Sequence, residues 1–369
     1  MNYRKFGSTG LEISALGFGA MRFPLLEDGT IDEEKAIAML RHGIDAGINY
    51  VDTAYPYHQG NSECVVGKAL KDGYREKTYL ATKCPVWLIE QEEDFDRILE
   101  EQLEKLDVDY VDFYLLHALD QERWDEKVMK FHLLDKMKAA KAAGKIHYIG
   151  FSFHDQYEVF QEIIDASPDW DFCQIQHNYI NLDYQAGNRG LRYAAEHGLG
   201  VIIMEPLLGG KLANLAPHVA QAFEDEKSPV EHALDFLWDQ PQVSFLLSGM
   251  GSEQQVEDNL LYAGRSAVGM VTPKEAKQYQ KAKEIFDRMA LVGCTGCAYC
   301  MPCPAGISIP EVFTAYNMTA SHNQAKAKEV YDRLSVHADA CKHCHRCEKE
   351  CPQHITISEL MSKITTIFE

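Results

Sequence analysis

Residues suited to proton transfer follow short apolar segments in the first third of the sequence. Asp52 opens Asp-Thr-Ala-Tyr-Pro-Tyr, Lys83 ends Tyr-Leu-Ala-Thr-Lys, and His117 ends Phe-Tyr-Leu-Leu-His. If these segments are neighbouring strands, the lysine and the aspartate form a buried ion pair. A tyrosine beside that pair is a tunable acid, because a cation stabilises the phenolate, and an imidazole can orient a carbonyl oxygen. Spacing alone does not choose between Tyr55 and Tyr57.

Cysteine spacing marks a second kind of chemistry near the C-terminal end. Eight of the 11 cysteines form two runs, each ending in Cys-Pro. The second run matches the C-x2-C-x2-C-x3-C-P pattern of bacterial ferredoxins, and the first is one residue shorter. Zinc is the alternative metal, but two runs of four favour two [4Fe–4S] clusters. The predicted ligands are Cys294, Cys297, Cys300, Cys303, Cys341, Cys344, Cys347 and Cys351.

The ferredoxin pattern also predicts how the two runs share their ligands. In two-cluster ferredoxins the fourth cysteine of each run binds the cluster of the other run. One predicted ligand set is therefore Cys294, Cys297, Cys300 and Cys351, and the other is Cys341, Cys344, Cys347 and Cys303.

Bulk composition narrows the class of protein. The 369 residues, 46% hydrophobic and 25% charged, suit a large globular core with an accessory module. A net charge of −20 argues against nucleic acid as a partner. No apolar run approaches the roughly 20 residues that span a bilayer, and the start of the chain lacks an apolar signal core. These features predict a cytoplasmic protein without a membrane partner.

Short apolar segments alternate with amphipathic ones along most of the chain. Helical spacing over 31–46 and 94–106 is typical of helices between strands. Eight strand–helix units predict a closed (β/α)8 TIM barrel; an open doubly wound sheet is disfavoured because no G-x-G-x-x-G follows the first strand. The predicted strands are 13–21, 49–54, 78–83, 111–117, 147–153, 172–178, 200–206 and 243–249.

The domain organisation follows from these two patterns. We expect the barrel over residues 1–270, a linking helix over 271–290 and a small, mainly helical ferredoxin-like iron–sulfur domain over 291–369. Within that last domain, 309–316 and 325–334 have helical spacing.

The motifs that contain Asp52, Lys83 and His117, in this order, closely resemble those of the aldo/keto reductases. The resemblance covers roughly residues 1–265. The resemblance implies a catalytic tetrad of Asp52, Tyr57, Lys83 and His117, with Tyr57 as the acid because it lies five residues after the aspartate. His58 replaces the usual glycine after that tyrosine. The implied reaction is hydride transfer from a nicotinamide to a carbonyl carbon. The whole chain resembles a subgroup of this family with an iron–sulfur tail.

The resemblance also implies where the nicotinamide end of a dinucleotide lies. Ser152 and Gln174 match residues that hold the carboxamide, whereas Phe153 replaces the usual asparagine. Met204 replaces an aromatic residue that stacks on the nicotinamide, and Asp52 lies on the same side. The pyrophosphate positions are Pro206, Leu207, Gly209 and Gly210, with Lys211 near enough to reach a phosphate.

For the adenosine end, the matching segment is 248–259. No Lys or Arg occurs from 243 to 264. This lack of cations disfavours a 2′-phosphate, although the resemblance to the family favours NADP. The choice between NADP and NAD therefore stays open. The matching adenosine-side residues are Gly249, Gly251, Gln255, Asp258 and Asn259.

These patterns favour an NAD(P)-dependent oxidoreductase acting on a small-molecule carbonyl or alcohol, with clusters for electron transfer and a possible redox partner protein. One alternative is a nicotinamide-binding sensor whose cluster domain docks a partner. Another is an enzyme whose clusters are purely structural.

Overall fold

The computed structural model describes residues 1–289, 291–320 and 324–368. Contacts divide the chain into two units. The first comprises Met1–Pro206 and Val230–Thr272, and the second comprises Leu207–Pro229 and Pro273–Glu369. The segment Leu207–Pro229, which the sequence analysis includes in the barrel domain, is therefore grouped with the C-terminal region.

The first unit is built around a closed barrel of eight parallel strands, as the sequence predicts. Its strand order is β10-β3-β4-β5-β6-β7-β8-β9. All neighbours are parallel. The strands are β1 (Tyr3–Lys5), β2 (Glu12–Ser14), β3 (Leu16–Gly19), β4 (Tyr50–Asp52), β5 (Tyr79–Cys84), β6 (Val111–Leu119), β7 (Ile146–Phe153), β8 (Phe172–Gln176), β9 (Gly200–Met204) and β10 (Phe245–Ser248).

An antiparallel hairpin precedes the barrel and divides the predicted first strand in two. β2 pairs with β1, and only β3 enters the barrel. Between β1 and β2, Phe6 is fully buried, and its ring lies 5.3–5.8 Å from those of Phe113, Phe172 and Phe245. The hairpin therefore places the aromatic ring of Phe6 in the barrel core. The apolar spacing of 13–21 alone does not predict this.

At the predicted helical segments 31–46, 94–106, 309–316 and 325–334, the helices begin and end within three residues of the prediction. The helices are α1 (Glu33–Asp45), α2 (Ser62–Ala69), α3 (Glu93–Leu106), α4 (Gln121–Arg123), α5 (Leu133–Ala142), α6 (Tyr157–Asp165), α7 (Gly187–Glu196), α8 (Pro217–Ala220), α9 (Pro229–Trp238), α10 (Glu253–Ala263), α11 (Pro273–Met289), α12 (Ile309–Thr319), α13 (Gln324–Asp332), α14 (Arg346–Lys349) and α15 (Ile357–Phe368). No described helix is long and apolar enough to cross a membrane.

Local sequence explains how one of these helices begins. The Asp32 side chain accepts a hydrogen bond from the Lys35 backbone N–H and so caps α1. Glu33 and Glu34 follow in the first turn, where negative charge is favourable. Leu40 and Ile44 are on the buried face. A cap and an apolar stripe together fix this helix against the barrel.

The second unit is mainly helical, as predicted, and has its own small core. Phe313 of α12 and Met361 of α15 are each about 1% exposed within it. The ring of Tyr331 stacks on that of Phe368, with centroids 4.2 Å apart. Several cysteines of both runs pack around the same core, so the metal-ligand candidates and the apolar residues form one cluster.

His177, directly after β8, predicts an acid-sensitive barrel. Burial lowers the pKa of its imidazole to about 4. Because the unfolded chain binds this proton near pH 6.5 and the folded chain does not, stability decreases as the pH falls between those values. From pH 7 to pH 5, His177 alone should remove about 2 kcal/mol from the free energy of unfolding.

Urea denaturation at both pH values measures this effect. In His177→Gln, the loss between pH 7 and pH 5 should be smaller by that amount. His197→Gln, at an exposed histidine, is the control and should keep the wild-type pH dependence. Equal pH dependence in wild type and His177→Gln would contradict the prediction.

Candidate functional site

Parallel register brings the predicted catalytic side chains together at one end of the barrel. Asp52 ends β4 and pairs with Ala81 of β5, whereas Lys83 lies two residues further along β5. Lys83 is fully buried, and its Nζ donates to Asp52 Oδ2 at 2.6 Å, to the Thr53 carbonyl at 2.8 Å and to Tyr57 Oη at 3.3 Å. An ammonium has three N–H donors, so these contacts use them all.

Burial shapes the electrostatics of the tetrad. It lowers the pKa of the Lys83 ammonium, against the opposing effect of Asp52. It also raises the pKa of the Asp52 carboxyl, which Lys83 opposes. The pKa of His117 lies well below its usual value, first because of burial and then because of Lys83. At neutral pH His117 is therefore a neutral imidazole.

The two candidate tyrosines point to different surroundings. Tyr57 is 8% exposed; its ring centroid lies 6.2 Å from that of His117. Tyr55 instead donates its hydroxyl to Glu101 at 3.0 Å, and the Lys105 amine lies 4.0 Å from its ring centroid. The structure thus brings Tyr57, and not Tyr55, to Lys83.

The histidine after Tyr57 adopts an unusual backbone. His58 has φ of 50°, a left-handed conformation that glycine adopts most easily. The His58 ring accepts a hydrogen bond from the Phe23 N–H and stacks on the Phe23 ring at 5.8 Å. These contacts offset the strain, which explains how a histidine occupies the place of the family's glycine.

A bulge at the end of β6 shapes the neighbourhood of His117. The strand runs two residues beyond its predicted end, with a register shift between Leu116 and Leu119. Ala118 has φ of 56°, and its N–H donates to Ser152 Oγ at 2.7 Å. The bulge therefore ties β6 to the strand end that carries Ser152.

Two side chains beside the tetrad carry no motif and were not predicted. The ring centroid of Trp87 lies 5.2 Å from that of His117, and the Arg123 guanidinium lies 5.4 Å from the Trp87 ring centroid. Arg123 also donates to the Ala118 carbonyl at 2.7 Å. Both residues lie in the loops around Trp87 and over 118–125, on which we expect the choice of substrate to depend, but no motif gives either residue a role.

The predicted carboxamide residues lie on neighbouring strands. Ser152 of β7 pairs with Gln174 of β8. The Gln174 side-chain nitrogen lies 3.5 Å from the Met204 sulfur, and its buried Oε1 has no hydrogen-bond partner. A buried acceptor of this kind suits an amide N–H of a ligand. Phe153 packs against Phe160 of α6, with ring centroids 5.0 Å apart, and so belongs to the apolar layer outside the barrel.

The adenosine-side residues surround the beginning of α10. Ser252 caps this helix, and the Gly251 N–H donates to Gln255 Oε1 at 2.8 Å. Asn259 donates to Ser248 Oγ at 3.1 Å. A helix N-terminus is itself favourable for anions.

A cation from elsewhere in the chain lies beside this segment. A methyl group added at Gly249 would lie 2.7 Å from Cγ of Arg22, and one at Gly251 would lie 3.1 Å from the Arg22 carbonyl. Arg22 follows β3 and is exposed. Arg22 therefore brings a basic residue beside this segment from outside the stretch 243–264, which contains no Lys or Arg.

In the second unit, the cysteines line two separate cavities. Each cavity has four cysteines in its wall, three from one run and the fourth from the other. In the described part of the chain, no three His, Cys, Asp or Glu side chains converge on a single metal ion. The first set is Cys294, Cys297, Cys300 and Cys351; the second is Cys303, Cys341, Cys344 and Cys347.

Burial and neighbouring acidic groups raise the pKa of thiols in both sets. Burial, together with Cys297, Cys294 and Cys351, raises the pKa of Cys300 to about 12. Burial and Glu348 raise the pKa of Cys347 to about 11. Thiols in such surroundings become thiolates when a positive metal centre compensates for their charge. The donor set therefore fits iron–sulfur ligation.

Two family models match the chain. The aldo/keto reductase family model matches residues 15–281, and the 4Fe-4S dicluster domain model matches residues 293–356. The chain is 30% identical over 284 residues to an L-galactose dehydrogenase of Arabidopsis thaliana, covering 70% of this chain and 86% of that relative. It is 29% identical over 259 residues to aldo-keto reductase AMT2 of Alternaria alternata, covering 60% of this chain and 69% of the relative.

Solved structures are similar over the barrel. Aldo-keto reductase AKR11C1 from Bacillus halodurans, in its holo form, is 25% identical with a TM-score of 0.64, covering 76% of this chain and 96% of that one. An aldo-keto reductase from Klebsiella pneumoniae in complex with NADPH is 24% identical with a TM-score of 0.62, covering 76% of this chain and 95% of that one.

The Lys83–Asp52 pair gives a test of the site that needs no substrate. Lys83→Met leaves a buried carboxylate without its partner, so it should lower the free energy of unfolding by about 3–5 kcal/mol. The double variant Asp52→Asn/Lys83→Met removes both charges and should recover at least half of that loss. Urea denaturation followed by tryptophan fluorescence measures both.

A matched control uses an ion pair on the surface. Lys68 Nζ lies 2.6 Å from Glu33 Oε2, but both side chains are about half exposed. Lys68→Met should therefore lower the free energy of unfolding by less than about 1 kcal/mol. If the double variant were as unstable as Lys83→Met, the loss would come from packing rather than from an unpaired charge.

Proposed function

The chain belongs to the aldo/keto reductase family and is an NAD(P)-dependent oxidoreductase of that type, and we propose that its barrel reduces a small-molecule carbonyl or oxidises the corresponding alcohol. The observation that carries this proposal is the contact of Lys83 Nζ with Tyr57 Oη at 3.3 Å, beside His117. These are the groups that protonation of a carbonyl oxygen requires.

Hydrogen-bond direction supports Tyr57 as the proton donor. Because the Lys83 ammonium donates to the phenol oxygen, the phenol proton points away from Lys83. When Tyr57 gives up that proton, the same ammonium stabilises the phenolate. The neutral His117 can donate one N–H to the substrate oxygen. A bound nicotinamide supplies the hydride.

For the dinucleotide, we propose that Ser152, Gln174 and Met204 hold the nicotinamide, with Asp52 on the same side. The unpartnered Gln174 Oε1 supports this assignment. At the adenosine end, Arg22 supplies a cation beside Gly249, which suits NADP as well as NAD. The NADPH complex of the Klebsiella pneumoniae relative agrees with this reading. The remaining proposed contacts are Pro206, Leu207, Gly209, Gly210, Lys211, Gly251, Gln255, Asp258 and Asn259.

We further propose that the second unit holds two [4Fe–4S] clusters that carry single electrons, for exchange with a redox partner protein. The two four-cysteine cavities support this number and the crossed ligand sets. Cys351 lies within electrostatic reach of Cys294 and Cys300, and Cys303 within reach of Cys347. A fourth ligand from the opposite run joins the two ends of this unit.

The tyrosines provide the test of the catalytic proposal. Tyr57→Phe should lower carbonyl reduction by at least ~100-fold, the lower size of general-acid contributions, with little change in dinucleotide affinity. Tyr55→Phe is the matched control and should be mild, since that hydroxyl bonds to Glu101. Initial rates over aldehydes, ketones and quinones, with dinucleotide affinity measured separately, decide the matter. A severe loss in Tyr55→Phe alone would contradict the assignment.

Metal analysis tests the cluster proposal. Anaerobically isolated protein should contain about eight iron and about eight sulfide per chain. Cys351→Ser should damage the cluster built mainly on the first run and spare the other. Cys64→Ser, outside both runs, should keep the full content. About four iron, or one zinc per run, in the unchanged protein would contradict two clusters.

A further inference from the structure

The two cysteine runs of the second unit differ in charge. Residues 294–303, which contain the first run, include no Lys, Arg, Asp or Glu. Residues 341–351, which contain the second run, include three Lys or Arg against two Glu, besides two histidines. The second run is therefore net positive in a chain whose net charge is −20.

The second set of cysteines is also the more exposed one. Cys344 of that set is exposed, whereas Cys351 of the first set is buried. Lys342 and His345 line the cavity of the second set, and both are exposed to solvent. The described lining of the first cavity includes no Lys, Arg, Asp or Glu. A partner can therefore approach the second cavity, where it meets basic side chains at the edge.

Residues 342–346, which we call the basic segment, read Lys-His-Cys-His-Arg, and all five are exposed. His343 and His345 have φ of 48° and 55°, a left-handed conformation that residues other than glycine rarely adopt. Within the described ranges, Lys342 and Arg346 form no ion pair. Their charges are therefore available to a partner in solution.

The two carboxylates of the second run lie outside the basic segment. Glu348 Oε2 lies 2.8 Å from His345 Nδ1, and Glu348 Oε1 accepts a hydrogen bond from the Ser358 N–H at 2.7 Å. Glu350 is exposed and follows Lys349. Because Glu348 is engaged within the unit, these carboxylates offset the basic segment only in part.

The two cysteine cavities share apolar walls. Ile309 of α12 and Ile357 of α15 line both of them. Clusters held in these cavities would therefore be neighbours, and an electron that leaves the second cluster can be replaced from the first.

We propose that the basic segment is the docking surface for a small acidic protein that carries single electrons, and that electrons leave this unit through the second cluster. The proposal rests on the proposed function, in which the unit holds two [4Fe–4S] clusters. In the transfer step the reduced second cluster loses one electron and the docked carrier gains it. The first cluster then gives one electron to the second.

Charge explains why the carrier is acidic. Cations on one surface and carboxylates on the other steer two proteins into an encounter and fix its orientation. The net charge of −20 repels an acidic protein from most of this chain, so the basic segment selects where it docks. A protein fits this surface better than a nucleic acid does, because the cations lie at the edge of the cluster cavity and are few.

The experiment mixes the anaerobic holoprotein with oxidised flavodoxin, a small acidic carrier that contains FMN. The holoprotein is first reduced with dithionite, and the excess is removed. The FMN takes one electron from a cluster and one proton from water, and the neutral semiquinone that forms is blue. Stopped-flow absorbance measures its second-order rate of formation. This rate should decrease as the ionic strength increases, because salt screens the attraction.

Charge variants of the basic segment give the decisive comparison. Lys342→Glu/Arg346→Glu should lower the rate at low salt by at least about tenfold, the lower range of electrostatic steering. Lys342→Arg/Arg346→Lys keeps both charges and should keep the wild-type rate. Lys277→Glu/Lys281→Glu is the matched control, because it makes the same change of charge at two exposed positions of α11. It should stay close to the wild-type rate.

Two further measurements separate docking from damage to the clusters. Every variant should keep the wild-type iron and sulfide content and should reduce a small uncharged quinone at the wild-type rate. With both clusters present, equal flavodoxin rates in wild type and Lys342→Glu/Arg346→Glu, or no semiquinone at all, overturn the docking surface alone. A charge reversal that abolishes binding of a DNA duplex and leaves the flavodoxin rate unchanged assigns the segment to nucleic acid and also overturns it. Wild-type protein without two clusters overturns the proposed function, and the docking surface with it.

Discussion

The candidate active site depends on one buried ion pair, that of Lys83 and Asp52. A lysine without exposed surface needs acceptors in place of water, and Asp52 with the Thr53 carbonyl supplies two. Adjacent parallel strands bring these groups together, because Asp52 pairs with Ala81 and Lys83 lies two residues further along β5. The third N–H of the ammonium then reaches Tyr57. The closed barrel therefore holds the buried ammonium of Lys83 beside the phenol of Tyr57.

A second constraint concerns the C-terminal unit, where each cysteine cavity is lined by cysteines from both runs. The proposed crossed ligation would close the chain between Cys294 and Cys351 around a small core, so that metal binding would contribute directly to folding. The segment Leu207–Pro229 belongs to this unit by its contacts. Within this unit, Gly209 of the segment lies against Thr295 of the first cysteine run.

Much of this arrangement could be predicted from the sequence. The features that could not be predicted have a physical reason. Apolar segments ending in Asp52, Lys83 and His117 predict a barrel because strand periodicity and length are local properties. Three features do not follow from the sequence patterns: the position of Arg22 beside Gly249, the grouping of Leu207–Pro229 with the C-terminal unit, and the burial of Phe6 in the barrel core. Each depends on contacts between segments far apart in sequence, which neither spacing nor composition encodes.

The central claim is that the barrel transfers hydride directly, without passing single electrons through the clusters. The most direct measurement follows the hydrogen, with NADPH carrying deuterium at the transferred position of nicotinamide C4. The account predicts that the alcohol product keeps that deuterium on its carbinol carbon. A product that contains solvent hydrogen at that carbon, with the deuterium absent from it, would contradict direct transfer and favour electron flow through the clusters.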